Sequence, residues 1–173
     1  MGYATESTLW TSDAFRQPMK DLISRYYELS DSPQADAGEI LASKVFSSDA
    51  CVISPNGSFT GSAGSVNLVL DGIDCTWLLT KEVLDIAASR ENAWKVVESR
   101  KHTISRAFFG QGESPEIVLI GTLFMSFRNG KSLDSPFATH LKLDVASAST
   151  SQPLISYMEV YTDVSPAIKL LSN

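Results

Sequence analysis

Trp94-Lys-Val-Val-Glu-Ser-Arg-Lys-His-Thr-Ile-Ser-Arg106 is the stretch on which the fold turns. Its β-branched Val96, Val97, Thr103 and Ile104 favour a strand. A period of two sorts Trp94, Val96, Glu98, Arg100, His102 and Ile104 onto one face, and Lys95, Val97, Ser99, Lys101, Thr103 and Ser105 onto the other. The second set suits water. The first carries the large apolar groups, so it is expected to face the interior, with Glu98, Arg100 and His102 in a row about 7 Å apart. One reading of that row is a solvated rim on which Glu98 and Arg100 pair, since exposed ion pairs usually signify little. The other is a polar patch inside a mostly apolar pocket, and Trp94, Val96 and Ile104 on the same face favour it.

Outward from this strand, apolar alternation and turn-rich connections predict further strands over about 76–88, 116–128, 137–145 and 154–163. Upstream, Phe15, Met19, Leu22, Ile23, Tyr26 and Leu29 recur at spacings of three and four, which predicts a helix from Asp13 that tolerates Pro18 in its first turn. Tyr26 lies on its apolar stripe and Tyr27 on the flank, and Ser30-Asp31-Ser32-Pro33 ends it. A short second helix carries Ile40, Leu41, Lys44, Val45 and Phe46. Two short strands then flank Pro55-Asn56-Gly57, and a third helix is expected over 62–73. Residues 1–12 read as a loose tail or a strap across the fold, and 13–173 as a single domain. The expected class is α+β: a strongly curved antiparallel sheet, cone-like, covered by three N-terminal helices and enclosing a pocket.

Composition narrows the function. The chain has 173 residues, 43% of them hydrophobic, enough for one real core. A net charge of -6 argues against nucleic acid, which is held by clustered Lys and Arg. Cys51 and Cys75 sit in contexts of small core residues, and no Cys or Cys/His spacing points to a metal, so no metal or cofactor is expected. No basic leader with an apolar run opens the chain and no apolar stretch reaches the roughly 18 residues of a membrane span. An intracellular, cytoplasmic protein with reduced cysteines is expected.

The order of these elements resembles the nuclear transport factor 2-like superfamily, which includes ketosteroid isomerase, scytalone dehydratase and the SnoaL-like polyketide cyclases. The residues that carry the resemblance are Phe46-Ser-Ser-Asp-Ala-Cys-Val-Ile-Ser-Pro-Asn-Gly57 with Phe59-Thr-Gly61, Met125-Ser-Phe-Arg-Asn-Gly-Lys131, and Tyr157-Met-Glu-Val-Tyr-Thr-Asp163. The overall look is of SnoaL-like proteins of fungal secondary metabolism. By position, the isomerase's oxyanion tyrosine matches Tyr26, its general base falls on Ser54, and its protonated aspartic acid falls on about Leu123. The family's own proton shuttle is therefore not expected here. The resemblance instead implies that acid–base groups have moved to Glu98, Arg100 and Glu159, and that His102 matches a histidine of scytalone dehydratase.

Individual side chains extend this expectation. His102 is the best general acid or base, because imidazole titrates near working pH; as a lone histidine it equally suits a rim position bonded to backbone. Glu98 either orients His102 or acts itself, and Arg100 either holds Glu98 charged or stabilises an oxyanion. Glu159, between Tyr157 and Tyr161, suits a substrate contact or a dimer surface. Trp77, Trp94, Val96, Leu123 and Met125 would line the pocket. The expected function is a cofactor-free isomerase or cyclase, pericyclic closure included, acting on a hydrophobic polyketide or terpenoid intermediate. A dehydratase or epoxide-opening hydrolase, and a non-catalytic binding or dimerisation module, are the alternatives. Val118, Ile120 and Phe124 opposite the inferred pocket face predict a homodimer through the outer sheet.

Overall fold

The computed structural model describes residues 2–55, 57–60, 69–70, 73–74, 94–110 and 115–172. The elements follow as β1 (Leu9–Trp10), α1 (Gln17–Asp31), α2 (Ala37–Lys44), β2 (Phe46–Ser54), β3 (Gly57–Thr60), β4 (Val69–Leu70), β5 (Ile73–Asp74), β6 (Val97–Gly110), β7 (Glu116–Phe127), β8 (Ser132–Leu143), β9 (Ile155–Thr162) and α3 (Ser165–Leu171). Seven strands form one sheet in the order β1-β6-β7-β8-β9-β2-β3, while β4 and β5 pair with each other. The sheet is curved and unclosed.

The meander from β6 to β9 is antiparallel, as hairpin connections require. Its β7–β8 turn places Gly130 at φ 79°, where a side chain is unfavourable. The two ends of the sheet differ from the expected purely antiparallel pattern, because β1 runs parallel to β6 and β2 parallel to β9. Neither pair is joined by a hairpin, so no turn dictates their direction.

The first helix starts at Gln17 rather than Asp13, with Pro18 in its first turn, and stops before Ser32, whose extended backbone is what a residue preceding Pro33 adopts. Tyr27 rather than Tyr26 lies on its buried stripe, with Met19, Leu22 and Ile23. These side chains meet Ile104, Leu119, Leu141 and Met158 from the sheet's inner face in a single core. The second helix ends at Lys44, and Phe46 already belongs to β2.

The three helices are not all N-terminal: the third, α3, follows β9. Where a helix was expected over 62–73, Val69–Leu70 and Ile73–Asp74 pair as strands. Asp71-Gly72 between them is a hairpin signal that outweighs the few apolar positions of the helical pattern. The rest of that expected helix, and the strand expected over 76–88, lie outside the described residues. No helix is long and apolar enough to cross a membrane among the described residues.

β6 begins at Val97, later than expected, and carries two irregularities. Val97 pairs with Phe127 and Ser99 with Ser126, leaving Glu98 as an extra residue; Ile104 pairs with Gly121 and Arg106 with Ile120, leaving Ser105 extra. Between the two bulges the strand keeps a strict alternation, and Arg100, His102 and Ile104 face inward. Gly121 lies opposite Ile104 because a Cβ there would sit 2.4 Å from the Thr103 carbonyl oxygen and 2.8 Å from Phe137. Backbone cannot give way as a flexible side chain can. Gly121→Ala is expected to cost about 3 kcal/mol, the upper end for overpacking, read by chemical denaturation; an unchanged midpoint would refute this account of the crossing.

Candidate active site

The last turn of α1 docks on the open edge of β6. Arg100 Nε donates to the Ser30 carbonyl at 2.7 Å and its Nη2 donates to the same oxygen. The His102 backbone N–H donates to Asp31 Oδ2 at 2.7 Å, and His102 Nδ1 lies 2.6 Å from Asp31 Oδ1. Arg100 Nε is 3.6 Å from the same oxygen. The Asp31 side chain is 1% exposed, that of His102 14% and that of Arg100 19%. A buried carboxylate is thus met by a guanidinium, an imidazole and a main-chain amide, the kind of compensation a buried charge requires. Burial pulls the Arg100 guanidinium down from its ordinary value, and Asp31 opposes that pull.

Asp31 also fixes the histidine. An ionised carboxylate only accepts, so Nδ1 carries the proton and Nε2 is left with its lone pair. Among the described residues none hydrogen-bonds Nε2. The ring is wedged between aromatics, 4.8 Å from Tyr27 and 5.2 Å from Phe137 by centroids. Tyr27 is buried, its hydroxyl 3.2 Å from Thr139 Oγ1, and burial pushes its phenol well up. Leu123 stands directly across from His102 and Met125 across from Arg100, both half-buried on the inner face. Trp94 is half-buried beneath Arg100, whose guanidinium carbon lies 5.0 Å from the indole centroid, and its buried Nε1 has no hydrogen-bond partner among the described residues. Tyr26 is half-buried against Tyr27 and Phe46. The arrangement can remove a proton through Nε2 while Asp31 stabilises the imidazolium formed.

Several expected members stand elsewhere. Glu98 is exposed and Val96 is 46% exposed, because the bulge at Glu98 breaks the period of two that would have carried both inward. Val97, placed on the water face by alternation, is buried for the same reason. Glu159 lies on the outer face: its strand neighbours across β8 are His140 and, two residues back, Lys142 opposite Tyr157. There the Tyr157 hydroxyl donates to Glu159 Oε2 at 2.7 Å, and burial followed by that bond raises the phenol. Tyr161 is raised chiefly by its own hydrogen bond to Glu159. His140 and Lys142 flank Glu116 on this outer face, at 3.5 and 3.1 Å. Trp77 lies outside the described residues. No group of three or more His, Cys, Asp and Glu side chains is suited to a metal among the described residues.

Asp31 is the residue sequence reasoning missed, having been read only as part of the Ser30-Asp31-Ser32-Pro33 helix stop. A signal existed. A carboxylate in the last turn of a helix opposes the helix dipole, so it needs a cation or donor from elsewhere.

No family model matches the chain, and no curated protein matches it. Solved structures do match its fold. An NTF2-like protein of unknown function from Burkholderia pseudomallei is 15% identical, with a TM-score of 0.58, covering 92% of this chain and 100% of its own. A protein described as a SnoaL-like polyketide cyclase from Shewanella denitrificans is 17% identical, with a TM-score of 0.58, covering 91% and 100%. A hexachlorocyclohexane dehydrochlorinase is 13% identical, with a TM-score of 0.57, covering 87% and 86%.

The buried cluster makes a stability prediction. Asp31→Ala leaves Arg100 without its carboxylate and is expected to cost about 3–5 kcal/mol, whereas Glu98→Gln should change stability by no more than about 0.5 kcal/mol. Urea denaturation of both variants checks the contrast, and equal effects would contradict it.

Proposed function

We propose, from the nuclear transport factor 2-like fold that this chain has, that it is a cofactor-independent isomerase or cyclase acting on a hydrophobic polyketide or terpenoid intermediate. The observation that carries the reading is the Asp31–His102 pair at 2.6 Å, buried against an otherwise apolar inner face. His102 Nε2 takes a proton from a carbon beside a carbonyl, the C–H electrons move onto the carbonyl oxygen, and Asp31 holds the imidazolium. The imidazolium then returns the proton at a second carbon, or the enolate carbon first attacks a second carbonyl carbon of the same substrate, whose C=O π electrons move onto its oxygen and take the proton there. Tyr27 and Phe137 pack on the imidazole, and Leu123 and Met125 stand across from His102 and Arg100 on β7; apolar surface of this kind favours one substrate conformer, and restricting reactants in this way is worth up to about 7–11 kcal/mol.

Elimination is the second reading. The same base removes a proton while a leaving group departs from the neighbouring carbon, and the likeness in fold to a dehydrochlorinase favours it. Epoxide opening loses its expected water-activating carboxylates, since Glu98 is exposed and Glu159 lies on the outer face. The non-catalytic binding or dimerisation module was expected to leave Glu98, Arg100 and His102 in bulk water; Glu98 is exposed, whereas Arg100 and His102 are largely buried.

His102→Ala is expected to lower turnover by roughly 100-fold to 10,000-fold, and Asp31→Asn to lower it similarly through loss of the Nδ1–H tautomer, on a panel of apolar enolisable ketones and β-hydroxy ketones. Glu159→Gln should leave it unchanged. Full turnover in His102→Ala would overturn the reading, and product analysis separates isomerisation from elimination.

The same reading includes a homodimer through the outer sheet face. Phe108, Val118, Ile120 and Phe124 are 38–43% exposed there, with Lys101 and Arg106 on the β6 side and Asp134 on the β8 side. A two-fold axis through β7 sets each cationic side over the other copy's Asp134, so a second copy is the occupant the charges fit. Sedimentation should give a dimer at micromolar concentration and a monomer for Ile120→Glu; a monomeric wild-type chain would refute it.

A further inference from the structure

We propose that Arg100 receives the oxyanion that the base creates: the uncommitted edge of its guanidinium donates to the substrate's carbonyl oxygen while His102 takes the proton, and Trp94 is the positioning residue that holds that edge still. The inference rests on the reading of His102 as the base and supplies the partner of the charge which that base generates.

A guanidinium carries five N–H donors in one plane. Arg100 spends one side of the plane on the end of α1, where Nε donates to the Ser30 carbonyl at 2.7 Å and Nη2 donates to the same oxygen. Nη1 has no hydrogen-bond partner among the described residues, and the side chain, 19% exposed, is not sealed off. A largely buried cation is thus left with donors still to give. The plane is also held from below. Its Cζ lies 5.0 Å from the centroid of the Trp94 indole. The Trp94 segment is in turn tied to the end of β7, where the Arg128 N–H donates to the Val96 carbonyl at 3.0 Å and Arg128 Nη2 to the Trp94 carbonyl at 3.5 Å. The buried Trp94 Nε1 has no hydrogen-bond partner among the described residues, a cost that packing alone does not repay. Indole is the best of the aromatic faces for a cation, so what its face does explains what its nitrogen does not.

Asp31 sets base and donor side by side. Its Oδ1 meets His102 Nδ1 at 2.6 Å and lies 3.6 Å from Arg100 Nε, so imidazole and guanidinium are neighbours across a single oxygen. An enolisable carbon and its carbonyl oxygen are separated by one atom, which demands such neighbours. Both residues face inward from β6, and the burial of the rows around them marks where a substrate fits. Trp94, Leu123, Met125 and Leu133 are half-buried, whereas the next row, Ile104, Gly121 and Phe137, is buried. In the step itself the C–H electron pair becomes the C=C bond, the C=O π pair moves onto oxygen, and the proton goes to His102 Nε2. Arg100 donates hydrogen bonds to that oxygen and keeps its own protons. A donor already fixed in place loses nothing to reorganisation as the charge develops.

The test uses a phenolate as a stable stand-in for the enolate: para-nitrophenol above its own pKa, with para-nitroanisole as the uncharged methyl ether. The wild-type chain and His102→Ala should both bind the phenolate at least about tenfold more tightly than the ether. Arg100→Lys keeps a cation beside Asp31 but not the planar fork. It should lose that preference and lower turnover of an enolisable ketone by roughly 100-fold to 1,000-fold, with KM little changed. Trp94→Leu removes the plate and leaves Arg100 on Ser30, so it should weaken phenolate binding relative to the ether by roughly 3-fold to 30-fold, which keeps the test open if Arg100→Lys unfolds. A phenolate preference absent from the wild-type chain, or retained in Arg100→Lys, overturns the proposal. A preference that depends on Arg100 beside full turnover in His102→Ala upholds Arg100 as the anion-holding group and overturns instead the role of His102 as base.

Discussion

Everything in this protein's inner face depends on how α1 ends. A helix that finishes on a backbone carbonyl and a carboxylate presents negative charge where the backbone dipole is already negative. Here that end is laid against the edge of β6, which offers Arg100, the His102 ring and a main-chain amide. The same contact caps the helix, occupies an unpaired strand edge and neutralises a buried charge. The group that satisfies Asp31 is an imidazole whose ring packs against Tyr27 and Phe137, with Leu123 directly across from it on β7.

The strand carries this geometry because of its bulges. Extra residues at Glu98 and Ser105 bracket a six-residue run in which alternation is regular, and within that run Arg100, His102 and Ile104 share one side. Outside the brackets the phase changes and the facing reverses. A bulge also increases local twist, which suits a sheet that must curve around α1. The irregularity and the curvature are one feature.

The two faces of the sheet divide the charged groups. Among the described residues the inner face holds one compensated cluster, Asp31, Arg100 and His102, whereas Glu116, Lys142, His140 and Glu159 are on the outer face. The electrostatics around His102 are therefore set chiefly by Asp31 and Arg100.

Local pattern was enough to recover the helices Gln17–Asp31 and Ala37–Lys44 in outline and the four-strand meander from β6 to β9, because apolar period and turn residues act over a few neighbours. It also placed Arg100, His102, Leu123 and Met125 on the inward face. It failed where the deciding partner was far away in the chain. Glu98 left the row because β7 pairs Ser126 with Ser99 rather than with Glu98, a register no single strand records. Glu159 went outward because β9 takes its facing from β8 and β2. Asp31 looked like a helix stop because its partners come from a strand some 70 residues later. Sequence alone determined the two N-terminal helices and the β6–β9 meander, though not β1, β4, β5 or α3; the tertiary structure decided the remaining pairings and which ionisable groups meet, since a charge can be buried only where distant elements bring it a partner.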